Sequence, residues 1–168
     1  YSFRDCDINN FVATAEELAN MGFYVFRMGY HVNEQLQSNH PLVIDYATNG
    51  MRNDFMDIYL ASICEFAIST SSGSSAPAAF CFRKPLVMVD ICPAGLSMAW
   101  NSYDLLLIKH HFSQQNNRKL SLSEIFSNEV GFCTETQGYI DKGIKLMENT
   151  PEEIFEITME MIQRLDGN

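Results

Sequence analysis

Basic side chains are scarce in this 168-residue chain: 11 Lys and Arg stand against 21 Asp and Glu, for a formal charge of −10. That balance excludes a broad nucleic-acid surface, which needs clustered cations to displace the counterions of phosphates. Long apolar runs are missing as well, and none approaches the roughly 20 residues of a bilayer-spanning helix. Cys6, Cys64, Cys81, Cys92 and Cys133 include no C-x-x-C pair, so the ligand spacing of a structural zinc site is lacking. Their odd number and wide separation fit free thiols in a reducing cytoplasm, and apolar neighbours predict burial of Cys64 and Cys81. G-x-x-x-x-G-K-[ST], G-x-G-x-x-G and G-x-S-x-G are all absent, which removes the usual phosphate-loop, dinucleotide and serine-nucleophile motifs. The chain opens on Tyr1 with neither an initiator Met nor a basic-then-apolar leader. The expectation is a cytoplasmic fragment of a longer protein.

What is present is ordinary globular material. A hydrophobic fraction of 46% and a charged fraction of 19% suit one soluble domain over residues 1–168 with a core of its own. Ile8, Phe11, Val12, Ala15 and Leu18 recur at helical spacing, and Met21-Gly22 ends that helix. Short apolar runs at Phe23–Phe26 and Leu42–Ile44 predict strands, and Asn53 or Asp54 can cap a helix carrying Phe55, Ile58, Tyr59 and Ile63. Phe66–Ser69 reads as a buried strand leading into a small-residue loop. A short helix over 76–82 and a strand at Leu86–Val89 follow. Strand, loop, helix, strand is a βαβ unit, with parallel strands buried on both faces. Leu105–Ile108 predicts a further strand and Ser121–Phe126 a short helix. Thr150-Pro151-Glu152-Glu153 supplies a cap, a first-turn proline and a capping-box acid for a closing amphipathic helix. The expected fold class is α/β, a Rossmann-like three-layer sandwich with a mainly parallel sheet and ligands at the carboxyl ends of its strands.

Candidate binding residues follow from that geometry. The loop Ser69-Thr70-Ser71-Ser72-Gly73-Ser74-Ser75 concentrates hydroxyls and small residues ahead of a helix start, which suits a diphosphate, although a solvated turn explains it equally. Arg27 directly follows an apolar strand, Arg52 precedes a helix, and Arg4 lies near the beginning; guanidinium is the natural bidentate partner of phosphate oxygens. Arg52 beside Asp54 also reads as a surface ion pair. Asp45 can accept from a ribose hydroxyl or cap a turn. His110 and His111 follow a predicted strand without a visible acidic partner, so exposed imidazoles are expected. Glu148 with Glu156, and Glu152 with Glu160, have the Glu-x7-Glu spacing of some glycosyltransferases, but three of the four belong to an acidic amphipathic helix, and coincidence explains them.

Several stretches together resemble a family of glycosyltransferases of bacterial surface-polysaccharide gene clusters. They are Arg4–Ile8, Gly22–Gly29, Arg52–Leu60, Phe66–Gly73, Phe82–Pro85, and the tail from Gly143-Ile144 through Glu148–Ile154. The resemblance implies the GT-B arrangement, in which the C-terminal Rossmann-like half holds the donor and an N-terminal half supplies the acceptor side. It implies a nucleotide-diphosphate sugar as ligand, no cofactor and no metal. Diphosphate contacts would come from Arg27, Arg52 and the loop Thr70, Ser71, Ser72, Gly73, Ser74 and Ser75, with Asp45 near the ribose. One departure stands out: Ala76-Pro77-Ala78-Ala79 follow the loop, where relatives of the fold carry an acidic ribose contact. The rival readings are a sugar-nucleotide epimerase, a pyruvyl transferase-like enzyme, or a non-catalytic module with an apolar face around Trp100 and Phe112.

Overall fold

The computed structural model describes residues 2–70 and 77–167. The fold is mixed α/β. A 3-10 turn at Ile8–Phe11, capped by the Asp7 carboxylate on the Asn9 N–H at 2.8 Å, leads into α1 (Val12–Asn20). Strands β1 (Val25–Phe26) and β2 (Val43–Ile44) pair in parallel. Helix α2 (Asp54–Ile63) starts where the Asn53 side chain accepts from the Met56 N–H at 2.9 Å, the cap predicted for it. Strands β3 (Ala67–Ser69), β4 (Leu86–Ile91) and β5 (Leu105–Ile108) form a second parallel sheet in that order. A π-helical turn at Pro77–Cys81 lies between β3 and β4.

The chain then changes sheet type. Strands β6 (His110–Ser113), β7 (Arg118–Lys119) and β8 (Ile144–Met147) are antiparallel, with β6 in the middle. Asn117 adopts φ +50° in the β6–β7 connection, a left-handed conformation that asparagine tolerates in tight turns. Helices α3 (Leu122–Ser127) and α4 (Thr136–Asp141) flank this sheet, and α5 (Pro151–Leu165) closes the chain. Both α3 and α5 begin with a full capping box, Ser121 with Glu124 and Thr150 with Glu153. In place of one mainly parallel sheet, the described residues thus hold two small parallel sheets and one antiparallel sheet.

The core centres on β4, whose six residues are all buried. Val87 and Val89 pack with Leu105, Ile154 and Met161, beneath α5. Leu86 and Met88 face the other way, against Ala78 and Ala79 of the π-helical turn and Ala61 and Cys64 at the end of α2. Alternating side chains therefore meet different helical partners on the two faces of one strand. Two sequence expectations change here. Cys81 is exposed and Cys64 half-buried, because Ala78 and Ala79 supply the inward side of their turn; Cys92 is the buried thiol. His111 is buried too, since the period of β6 turns His111 and Ser113 inward, and His110 pairs with Glu153 at 2.8 Å.

The two sheet systems are locked at Asp90. This residue is fully buried at 0% exposure and holds φ +52° inside β4, a conformation costing an L-residue about 1–2 kcal/mol. Its N–H donates to Asn149 Oδ1 at 2.7 Å, and the Asn149 N–H donates back to Asp90 Oδ1 at 2.7 Å. Asn149 Nδ2 also donates to the Ile108 carbonyl at 3.0 Å, so one amide joins β4, β5 and the start of α5. Asn149→Ala leaves the Asp90 N–H and the Ile108 carbonyl unpaired, and the expected loss is about 2–4 kcal/mol. Urea unfolding measures it; a midpoint unchanged from the parent would show that this amide does not hold the sheets together.

Candidate functional site

The carboxyl end of the β1–β2 pair is built around Arg27 and Asp45. Backbone pairing continues past β1, with the Arg27 N–H on the Ile44 carbonyl at 2.9 Å. The guanidinium Nη1 donates to the Glu34 carbonyl at 2.9 Å and to Asp45 Oδ1 at 3.1 Å. Asp45 Oδ2 also accepts from the Leu36 N–H at 3.0 Å and from Thr48 Oγ1 at 2.7 Å. These side chains are only 10% and 16% exposed, and together they fasten the 34–48 segment across the strand ends. Burial by itself would raise the Asp45 carboxyl, but the hydrogen bonds from Leu36, Thr48 and Arg27 outweigh it and hold it below its ordinary value.

Arg52 has its own partners. Its Nη2 lies 2.5 Å from Asp57 and 3.6 Å from Asp54, and its guanidinium carbon sits 4.3 Å from the centre of the Tyr30 ring. The surface ion pair expected with Asp54 is present, and the shorter pair with Asp57 adds to it. The Tyr30 ring is exposed and meets His31 edge-on.

A second polar group gathers at the carboxyl ends of β3, β4 and β5, where residues 4–10 cross. Thr70, next after β3, hydrogen-bonds the Cys6 thiol. Lys109, next after β5 and almost wholly buried, donates its ammonium to the Asp5 carbonyl. Glu148 Oε2 accepts from the Asp7 N–H at 3.0 Å and from Asn10 Nδ2 at 2.8 Å. Asp90 lies among these groups with Oδ2 lacking a partner among the described residues. Burial, then the Asp90 and Glu148 carboxylates, push the Cys6 thiol up to about 11 against the opposing pull of Lys109 and Thr70, so this sulfur is no nucleophile at neutral pH. Burial likewise raises the Asp90 carboxyl, opposed by the Asn149 N–H and Lys109.

The two rims are linked. Gln37, beside the segment tied down by Arg27 and Asp45, donates its N–H to Asn9 Oδ1 at 3.3 Å. Residues 5–10 thereby touch both the β1–β2 rim and the β3–β4–β5 rim. Arg4 belongs to the second, close enough to Cys92 and Tyr139 to act on both thiol and phenol, with its guanidinium carbon 5.3 Å from the Phe3 ring centre. Arg4 and Thr70 therefore share one rim, Arg27 and Asp45 adjoin it through Asn9, and Arg52 remains with α2 and Tyr30. Ser71, Ser72, Gly73, Ser74 and Ser75 lie outside the described residues.

Sequence reasoning does not single out Cys6, Asp90, Lys109 or Asn149, and it reads Glu148 only as one member of a coincidental Glu-x7-Glu spacing. Asp90 and Lys109 each follow an apolar strand run, the same signal that singled out Arg27. Two carboxylates, Asp90 and Glu148, face one ammonium in this cluster, so it offers no surplus positive charge to an anion. Among the described residues no group of three His, Cys, Asp or Glu could hold a metal ion.

Comparison with known proteins does not decide the matter. No family model, curated protein or solved structure matches the chain. The site stands on its own geometry.

Two outcomes follow from the Arg27–Asp45 pair. Arg27→Ala leaves a mostly buried carboxylate without its cation and should lower stability by about 2–4 kcal/mol, read from thermal melts at neutral pH. Asp45 has a depressed folded-state pKa, so its contribution is complete above the unfolded value of about 3.9 and disappears as pH falls through the lower folded value. Wild-type stability therefore drops over that acid window, whereas Asp45→Asn shows a shallower drop; identical acid slopes would contradict the assignment.

Proposed function

We propose that the chain is the donor-binding half of a GT-B-type glycosyltransferase, taking a nucleotide-diphosphate sugar at the carboxyl ends of its parallel strands. The observation that carries this reading is the parallel β3–β4 unit, whose crossover leaves the sheet at Thr70 into a hydroxyl-rich run. Ligands of open parallel sheets gather at such strand ends. The likeness of Arg4–Ile8, Gly22–Gly29, Arg52–Leu60 and Phe66–Gly73 to polysaccharide-cluster transferases supports the same choice.

On this reading β1–β2 and β3–β4–β5 belong to one Rossmann-like sheet, with α1 and α5 on one side and α2 with the π-helical turn on the other. The Thr70 hydroxyl and the Arg4 guanidinium meet the diphosphate. Arg27 contributes by exchanging an Asp45 contact for a phosphate oxygen. Their role in transfer is electrostatic: preorganised donors stabilise the departing nucleoside diphosphate as the glycosidic bond breaks, each worth roughly 3–4 kcal/mol in a water-excluded site. The acceptor and the catalytic base belong to a partner domain, so binding rather than turnover is the property this chain should display.

A thermal-shift panel of GDP, UDP and ADP tests the reading. One nucleotide should stabilise the chain selectively, by about 2.7 kcal/mol at a hundred times its dissociation constant. Arg4→Ala should reduce that affinity by about tenfold, equivalent to roughly 1.4 kcal/mol. If all three leave the melting curve where it was, donor binding is refuted and the exposed Phe80–Trp100 pair, with centroids 4.1 Å apart, favours a non-catalytic module.

A further inference from the structure

The turn between β2 and α2 holds the chain's only asparagine followed by glycine, Asn49-Gly50. An asparagine is chemically labile where the next backbone nitrogen can reach its side-chain carbonyl. Glycine, lacking a Cβ, leaves that approach unobstructed. Both residues are exposed. Gly50 adopts φ +79°, and nothing lies within 4 Å of where a Cβ would stand on it. Its N–H makes no hydrogen bond among the described residues, so this nitrogen is free to lose its proton to hydroxide.

The Asn49 side chain is already folded forward over that nitrogen. Its Oδ1 accepts from the Met51 N–H at 3.0 Å, an Asx turn in which the side-chain carbonyl bridges the following residue. The same N–H polarises the carbonyl and stabilises the negative oxygen that forms on attack at Cγ. Nδ2, the group that must depart, has no partner among the described residues. Two other asparagines show what protection requires. Asn101 makes the same turn, with Oδ1 on the Tyr103 N–H at 2.9 Å, but Ser102 follows it and the Lys84 carbonyl holds its Nδ2 at 3.5 Å. Asn53 is committed to the α2 cap and precedes Asp54, and its Nδ2 is held by the Met51 carbonyl at 3.4 Å.

We propose that Asn49-Gly50 is a self-modifying site, at which the folded chain converts the asparagine into a mixture of aspartate and isoaspartate. The deprotonated Gly50 nitrogen bonds to Asn49 Cγ. The Cγ–Nδ2 bond then breaks, and ammonia leaves with a proton taken from water. The product is a five-membered succinimide. Water adds to either ring carbonyl: opening at Cγ gives aspartate on an unchanged main chain, and opening at the main-chain carbonyl gives isoaspartate. One water is consumed, one ammonia is released, and nothing is oxidised. Either product adds a carboxylate to a turn that Tyr46 clamps, its hydroxyl accepting from the Asn53 N–H at 2.9 Å. Isoaspartate also lengthens that clamped segment by one backbone carbon.

Peptide mapping by mass spectrometry, after incubation of the folded chain at mildly alkaline pH, tests this. The peptide spanning Asn49-Gly50 should gain one mass unit at a rate rising in proportion to hydroxide, and fragmentation should place the change at residue 49 with both products present. A parallel sample in urea separates structure from sequence. Asn49 should convert in the folded chain at least as fast as in the unfolded one, whereas Asn101 should convert only when unfolded. Asn49→Gln, which would have to close a six-membered ring, should remain unmodified. An Asn49 that survives in the folded chain while the urea sample converts overturns the proposal, because the turn then protects the amide. So does earlier conversion of any other asparagine in the folded chain. Aspartate without isoaspartate would mean direct hydrolysis, which also overturns it.

Discussion

The reciprocal pair between Asp90 and Asn149 is the constraint on which the arrangement rests. Its effect is geometric before it is energetic. By holding Asp90 in a left-handed conformation it kinks β4 after Val89, where the register with β5 shifts between Met88 and Ile91. The same amide reaches Ile108 and thereby sets where β5 ends. Placed one residue before Thr150, it also fixes where α5 is capped and which of its faces meets Val87 and Val89. Three elements distant in sequence thus share one buried hydrogen-bonding centre. A centre with so few spare partners discriminates strongly against other packings.

Sequence reasoning recovered what depends on local periodicity and missed what depends on partners far along the chain. Helices α1, α2, α3 and α5, and strands β1 to β5, were legible because caps and apolar runs are local signals. Strands β6 to β8 were not read as a sheet. His110-His111-Phe112-Ser113 alternates in burial but scarcely in hydrophobicity, as its buried members are a histidine and a serine. The same cause hid His111: an imidazole 1% exposed, with Nδ1 against the Lys109 carbonyl at 2.8 Å, looks in sequence like any surface histidine. Burial depresses its basicity and keeps the ring neutral.

Among the candidate site residues, chain position pointed to the strand ends, but the distribution of charge there could not be read from one dimension. Arg27 and Asp45 are eighteen residues apart, and only the parallel pairing of β1 with β2 makes them neighbours. Their mutual neutralisation means that neither presents a bare charge. The Cys6–Asp90–Lys109–Glu148 cluster is subject to the same logic. It draws on four separate parts of the chain, and its carboxylates outnumber its ammonium. On the proposed reading, donor binding at this rim is decided less by how many cations are nearby than by which internal partner each one can release.

A single residue, Lys109, separates β5 in the parallel sheet from β6 in the antiparallel one, and its ammonium is anchored on Asp5. The passage between the sheets accordingly has no slack. Any sliding of β5 must pull β6 along its axis, and with it the two strands on either side. Residues 4–10, held by this lysine and by Glu148, would be displaced in the same motion, so the strap over the strand ends and the remote antiparallel sheet behave as one mechanical body.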